Sequence, residues 1–294
     1  MPIDDVASED SSVLEPGYGE VLWTPDQETV EQATVTAYQR WLAAERGVHT
    51  KDYDELWRWS TGDPAAFWST IWDYFGVLGH RGAGPVLAGA PAGPAPDVRW
   101  FEGATLNYAR NALRTARTDP GRTAIIFNDE NSPGGSLSYG ELAAEVARIA
   151  SGLRAAGVRR GDRVAGLLPN GPHAIIGLLA AASLGAIWSS CSPDFGPASV
   201  IDRFAQIEPS VLIAAPGYHY NGKEYRRDDV VRQIANALPG LSAVLLAAPL
   251  DHTGGFGDVP VLDWEHFGDA GGHAEPRTEP EYTEVPFGHP LWVL

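Results

Sequence analysis

The chain has 294 residues, 44% hydrophobic and 20% charged, an ordinary globular balance that suits about two domains. Acids outnumber bases 38 to 21, and a formal charge of −17 repels phosphodiester backbones and anionic membrane surfaces. The one cysteine, Cys191, excludes an internal disulfide and a multi-thiolate zinc site, and it suits a reducing cytosol.

Residues 1–10 are acidic and carry no apolar h-region, so they do not form a secretory signal. Thr24-Pro25-Asp26-Gln27 sets an N-cap hydroxyl, a proline at N1 and a glutamine at N3. That pattern predicts a helix to Gly47 with Val30, Thr34, Ala37, Trp41 and Ala44 on its apolar face. A second helix is expected over 53–59. A third opens at Asp63-Pro64, buries Phe67, Ile71 and Phe75, and ends at Gly76. Seven of the ten tryptophans fall between Trp23 and Trp100, without the spacing of a sugar or base platform, and are expected to be packing residues. Residues 79–97, rich in Gly, Pro and Ala, read as a linker. The expected division is a helical, Trp-rich extension over 1–99 and a second domain over 100–294.

Beyond Trp100-Phe101-Glu102-Gly103, a helix is expected through Leu106, Ala109, Ala112 and Leu113. Strands are then expected at 124–127, 164–168, 186–190, 211–214 and 243–247. Helices alternate with them: one capped by Ser138 and Glu141 that turns Leu142, Val146, Ile149 and Leu153 inward and stops at Gly157, then 172–184, 197–207 and 228–238. Residues 131–135 read as a turn. The apolar stretch 174–188 contains Gly177, Ser183 and Gly185, and falls short of the ~18–20 residues of a membrane span. Strands and helices alternating at this spacing predict an α/β fold with a doubly wound, mainly parallel sheet. From 251 to 289 the pattern dissolves into Gly, Pro and His, and 290–294 reads as an apolar strand. A chain that stops inside such a strand is expected to be a truncation.

Several chemical devices have no counterpart. There is no G-x-S-x-G elbow, no G-x-G-x-x-G after a strand and no H-E-x-x-H, and His266 and His273 read as solvated rather than metal-bound. Gly217-Tyr218-His219-Tyr220-Asn221-Gly222-Lys223 matches the start of a phosphate loop. Glu224 stands where a hydroxyl is needed, however, and three aromatic rings crowd the loop. Lys223 can instead meet a phosphate from the rim of a cleft, or be a solvated lysine paired with Glu224 or Asp228. Ser189-Ser190-Cys191-Ser192-Pro193-Asp194-Phe195-Gly196 follows the preceding strand. Both segments belong at the carboxyl edge of the sheet, where open α/β sheets bind ligands. The plain alternative for the second is a strand–helix turn with Ser192 or Asp194 as cap.

Gly161-Asp162-Arg163-Val164, Leu168-Pro169-Asn170 and the run from Leu184-Gly185-Ala186 through Trp188 to Gly196 resemble the acyl- and acetyl-CoA synthetases that form acyl-adenylates. Within them the run from Trp188 to Gly196 is similar to the acetoacetyl-CoA synthetase branch. Asp63-Pro64 with Phe67-Trp68, Trp100-Phe101, Leu106-Asn107-Tyr108, Asp202-Arg203-Phe204, Gln206-Ile207-Glu208-Pro209 and Tyr220-Asn221-Gly222-Lys223 extend the likeness over roughly residues 20–294. The resemblance implies the incomplete large domain of an adenylate-forming enzyme, with the phosphate loop, acid pocket and C-terminal domain of the family downstream of residue 294.

It also implies a two-step reaction. Acetoacetate attacks Mg-ATP to give acetoacetyl-adenylate and diphosphate, and CoA then displaces AMP. By resemblance, Ser192, Pro193 and Asp194 lie along the pantetheine arm of CoA, and Asn221, Gly222 and Lys223 meet its nucleotide phosphates, with Lys223 the only cation there. No catalytic residue and no metal ligand are assigned, so the chain is expected to be inactive by itself. The partners are small molecules (acetoacetate, ATP, CoA), with no nucleic acid and no membrane, in the cytoplasm. A second reading is a noncatalytic CoA-binding or interaction module derived from a synthetase. A third, a P-loop nucleotidase, fails at Glu224.

Overall fold

The computed structural model describes residues 19–89, 98–130, 132–248, 255–268 and 278–294. By contacts the chain divides into two compact units, one ending at Phe75 and the other beginning at Gly76.

The first unit is helical: α1 (Gln27–Gln32), α2 (Thr34–Arg46), α3 (Tyr53–Gly62) and α4 (Pro64–Tyr74). The single helix expected up to Gly47 is split at Ala33, which is extended (ψ 139°). Its N-cap is Asp26 rather than Thr24, because the Asp26 carboxylate accepts from Thr29 N–H at 2.8 Å. Gly47 does close α2, in the left-handed conformation at φ 66°. The buried face is shifted by one position from the expected one: Tyr38 and Leu42 pack with Leu56, and Val30 is exposed. On α4, Thr70 and Trp72 are buried and Phe67 and Ile71 half-buried, whereas Phe75 is exposed. The buried Tyr38 hydroxyl meets Thr70 Oγ1 at 2.6 Å, and burial pushes its pKa up against that bond. Trp23, Trp57 and Trp68 are exposed, so packing accounts for only part of the tryptophan cluster.

The second unit opens with short strands β1 (Gly79–His80), β2 (Leu87–Ala88), β3 (Arg99–Trp100) and β4 (Thr105–Leu106), then α5 (Tyr108–Ala112) and α6 (Thr115–Thr118). Antiparallel pairing of β1 with β4 and of β2 with β3 gives much of the expected linker a place in this unit; residues 90–97 lie outside the described residues. The hairpin β5 (Thr123–Asp129) and β6 (Ser132–Ser138) follows. The expected turn at 131–135 is therefore mostly strand, with Gly135 paired to Phe127; Asn131 lies outside the described residues.

From there the chain alternates: α7 (Tyr139–Ala155), β7 (Arg163–Leu167), α8 (Pro172–Ser183), β8 (Ile187–Cys191), α9 (Pro197–Ile207), β9 (Val211–Ala214), the hairpin β10 (Gly217–Tyr220) and β11 (Lys223–Arg226), α10 (Asp228–Ala237), β12 (Ala243–Leu246), β13 (Val261–Asp263) and β14 (Val285–Pro286). The capping box of Ser138 and Glu141 forms as expected, and Leu142, Val146, Ile149 and Leu153 are buried.

Five strands make a parallel sheet in the order β13-β12-β9-β7-β8. Val164, Val211, Ile213 and Leu245 face one core with α7 and α8, while Leu167, Leu212, Val244 and Leu246 face the other with α9 and α10. Helices on both faces explain why these strands are continuous apolar runs, and the doubly wound α/β fold is the one expected. Strand β13 was hidden in the Gly/Pro-rich stretch and pairs parallel with β12. The expected strand at 290–294 is an isolated parallel bridge, in which Trp188 N–H donates to Leu291 and Val293 N–H to Trp188.

Two packing details hold the β7–β8 edge. The Trp188 indole fills the space at Gly166 and Gly177, where an added Cβ would meet the ring at 2.6 and 2.9 Å. Asn107, fully buried, caps α5 by accepting from Arg110 N–H. Its amide donates to the carbonyls of Ala182, Ser183 and Thr283, tying α5 to the end of α8.

Candidate functional site

The strand order places the reversal of chain direction across the sheet between β7 and β9. From β7 the chain passes to β8 on one side, then crosses back to β9, β12 and β13. In open parallel sheets the crevice at such a point, outside the carboxyl ends of the strands, is the usual ligand site. Three segments flank it: Leu168-Pro169-Asn170 after β7, Ser192-Pro193-Asp194 after β8 and the β10–β11 hairpin after β9. Residue β-spacing puts the ends of β8 and β9, with β7 between them, about 10 Å apart.

After β8 the chain makes a turn in which Phe195 N–H donates to the Ser192 carbonyl at 3.2 Å. Pro193 is buried, and Ser192 and Asp194 are exposed. Neither of the two caps α9: its N-cap is Gly196, with no side-chain cap bond. The plain reading of Ser192 or Asp194 as a cap is thereby corrected. Beneath them, burial raises the Cys191 thiol pKa, opposed by Arg203, whose guanidinium also lies 5.1 Å over the Phe195 ring.

The segment that resembled a phosphate loop is a β-hairpin. Asn221 (φ 50°) and Gly222 (φ 70°) form its two-residue turn, and Tyr220 pairs with Lys223. Asn-Gly is the strongest short signal for such a turn because both positions need positive φ. The strand-to-helix geometry of a P-loop is absent, and the nucleotidase reading goes with it. Alternation puts Tyr218, Tyr220, Lys223 and Tyr225 on one face of the ribbon. Tyr218 and Tyr225 stack at 5.2 Å and 11°.

The charges sort differently from the sequence expectation. Glu224 and Asp228 both pair with Arg226, at 3.7 and 2.9 Å, so neither pairs with Lys223. Burial pulls the Asp228 pKa upward, but the bond and charge of Arg226, a bond from its own backbone N–H and the charge of Arg232 together outweigh this, and the pKa is lowered. Lys223 is not the only cation at the hairpin. Arg227 lies 5.6 Å over the Tyr218 ring and donates to its hydroxyl at 3.2 Å, and Arg227 Nε is buried without a partner. The turn itself holds an anion: Asn221 N–H and Gly222 N–H donate to the two carboxylate oxygens of Glu130, at 3.0 and 2.9 Å. Arg227 follows directly on the hairpin and was within reach of a sequence reading. Glu130, from the β5–β6 connection, carried no local signal.

Three cavities lie elsewhere. One of about 330 Å³ is lined by Tyr38, Tyr53, Trp57 and Phe67, a second of about 620 Å³ by Asp162, Arg163 and Glu208, and a third of about 380 Å³ by Leu106, Tyr108, Phe287 and His289. Among the described residues no group of three or more His, Cys, Asp or Glu could hold a metal ion, and no helix is long and apolar enough to cross a membrane.

Comparison with known proteins decides the family. The family model described as AMP-binding enzyme matches residues 113–264, and that of the acetyl-coenzyme A synthetase N-terminus matches residues 53–112. The chain belongs to the AMP-binding enzyme family. It is 40% identical over 281 residues to the acetoacetyl-coenzyme A synthetase of Rhizobium meliloti (strain 1021), covering 93% of this chain and 40% of that protein. The malonamoyl-CoA synthetase vrtB of Penicillium aethiopicum is 32% identical over 292 residues, covering 95% of this chain and 39% of that protein. A solved structure of the acetoacetyl-CoA synthetase from Streptomyces lividans superposes with a TM-score of 0.83 at 42% identity, covering 94% of this chain and 41% of that one. The chain thus spans about two fifths of the length of these AMP-binding relatives.

Proposed function

We propose that this chain supplies the coenzyme-facing edge of an acetoacetate–CoA ligase, which converts acetoacetate, ATP and CoA to acetoacetyl-CoA, AMP and diphosphate. One observation carries the reading: Ser192, Pro193 and Asp194 and the turn of Asn221, Gly222 and Lys223 lie at one carboxyl edge, on either side of β7, in a chain 40% identical to an acetoacetyl-coenzyme A synthetase. The first segment lies along the pantetheine arm, and the second meets the nucleotide phosphates. ATP, as its magnesium complex, and acetoacetate are substrates of the whole reaction, and no residue of this chain is given a chemical step. In this reading residues 1–99 are an N-terminal extension and 100–294 the first α/β subdomain of the large domain. The partners are small molecules rather than nucleic acid, in keeping with the charge of −17, and the lone, buried Cys191 suits a cytoplasmic place.

Calorimetric titration of the 294-residue protein with CoA tests this, alongside assays of diphosphate release with acetoacetate or malonamate. CoA binding is expected, weakened by Lys223→Ala by about 1–3 kcal/mol, the scale of a charged hydrogen bond. No diphosphate release is expected from this chain alone. Failure to bind CoA overturns the reading. Binding of CoA without any role in the full reaction favours a noncatalytic module derived from a synthetase.

A further inference from the structure

The Glu130 carboxylate sits on the hairpin turn in the manner of a ligand. Both of its oxygens are engaged, one by Asn221 N–H at 3.0 Å and one by Gly222 N–H at 2.9 Å. Successive backbone N–H groups in a tight turn form a concavity suited to anions, and bonds to an ionised acceptor are stronger than neutral ones. Lys223 follows in the chain, exposed, so the turn offers two donors and a neighbouring cation to whatever occupies it. Glu130 reaches it from 91 residues away in the chain, across the β5–β6 connection. Neither Glu130 nor the turn is buried, so the contact is open to exchange with solvent anions.

We propose that Glu130 gates this edge: an internal carboxylate that occupies the turn's two donors and raises the concentration at which any phosphate displaces it. This rests on the reading that Asn221, Gly222 and Lys223 face the phosphates of CoA. A free phosphate ion has nothing but the turn to hold it, and it must compete with a tethered carboxylate at high local concentration. CoA, held also along its pantetheine arm, meets the same competition with a second set of contacts already made. Glu130 therefore costs every anion the same displacement, and a phosphate carried on a larger, separately anchored body meets that cost at the lower concentration.

The test uses the 294-residue protein with Glu130→Gln, which keeps the length and one carbonyl acceptor but removes the charge. Glu130→Asp retains the charge on a side chain too short to span both donors. In the wild-type protein the Asn221 and Gly222 amide resonances should report the Glu130 contact, and inorganic phosphate should move them only at about 2- to 5-fold higher concentration than in the variants. In both variants phosphate should move them, and CoA should bind about 2- to 5-fold tighter, the scale of one exposed ionic contact. Amides that ignore Glu130, or that respond to phosphate alike in all three proteins, overturn the inference. If Glu130→Gln weakens CoA while Lys223→Ala also weakens it, Glu130 is a strut for the hairpin: the gate fails and the coenzyme reading stands. If Lys223→Ala leaves CoA binding unchanged, or CoA does not bind at all, the coenzyme reading fails and the gate with it.

Discussion

Strand β9 and the two strands of the hairpin that follows it have four residues each, and they are built on opposite principles. Every residue of β9 is buried, hydrogen-bonded to β7 on one side and β12 on the other, with Leu212 and Ile213 facing opposite cores. Among the described residues the hairpin pairs only with itself, and all of β11 is exposed. What steadies it is polar and lateral: the Glu130 carboxylate on its turn, and Arg227 over Tyr218 at its root. Burial makes the sheet tolerant of little change and indifferent to solution conditions. Exposure leaves the hairpin energetically cheap to alter and open to solvent, so the part proposed to meet the coenzyme is the one expected to contribute least to stability.

Truncation should separate the two regions most sharply. Leu212→Ala removes a side chain with 0% exposure from the centre of the sheet, and urea unfolding should show a loss of about 2–5 kcal/mol. A loss below about 1 kcal/mol would mean that the sheet is not the stabilising unit described. Enlarging the core should cost somewhat less. In Gly166→Ala the new Cβ meets the Trp188 ring at 2.6 Å, and such overpacking costs about 1–3 kcal/mol; relief of that cost by Trp188→Leu would locate the clash.

A pH dependence comes next. His173, packed against Trp264, has its pKa lowered from 6.5 by burial, with Glu145 raising it and Arg148 lowering it further. Below 6.5 the unfolded chain therefore binds more protons than the folded one. This contribution to stability is complete above that value and is lost as pH falls through it towards the folded pKa. His173→Gln should flatten that part of a stability-against-pH curve, and an unchanged slope would exclude the group. The smallest effect belongs to the hairpin. Lys223→Ala should alter unfolding stability by no more than about 0.5 kcal/mol while still weakening CoA, and a large stability change would make Lys223 structural.

Much of the sheet was legible because its signals are local. The helix 197–207 and strand 211–214 lie where their apolar periods put them, and Ser138 with Glu141 marks a helix start in any context. Strand β13 was not legible, since three residues among Gly, Pro and His become a strand only when β12 offers them an edge. The hairpin was legible in Asn221-Gly222, which signals a two-residue turn, but the segment was weighed only as a phosphate loop, rejected at Glu224, and as the setting of Lys223. In the first unit, the face of α2 was misplaced by one position because its buried side depends on where α3 and α4 lie.

The sequence by itself determined the α/β class, the alternation of strands and helices, and the likeness to CoA synthetases, all of which rest on short-range pattern or on residue identity along the chain. The tertiary structure alone decided the strand order that sets Ser192 and Lys223 on either side of β7, at the carboxyl edge their alternation had already implied. It alone showed the pairing of Glu224 and Asp228 with Arg226 instead of Lys223, and the seating of Glu130 on a turn 91 residues away. Periodicity reports which way a side chain faces within its own element. Which distant group completes an exposed hydrogen bond depends on how the elements come together, and that leaves no period in the sequence.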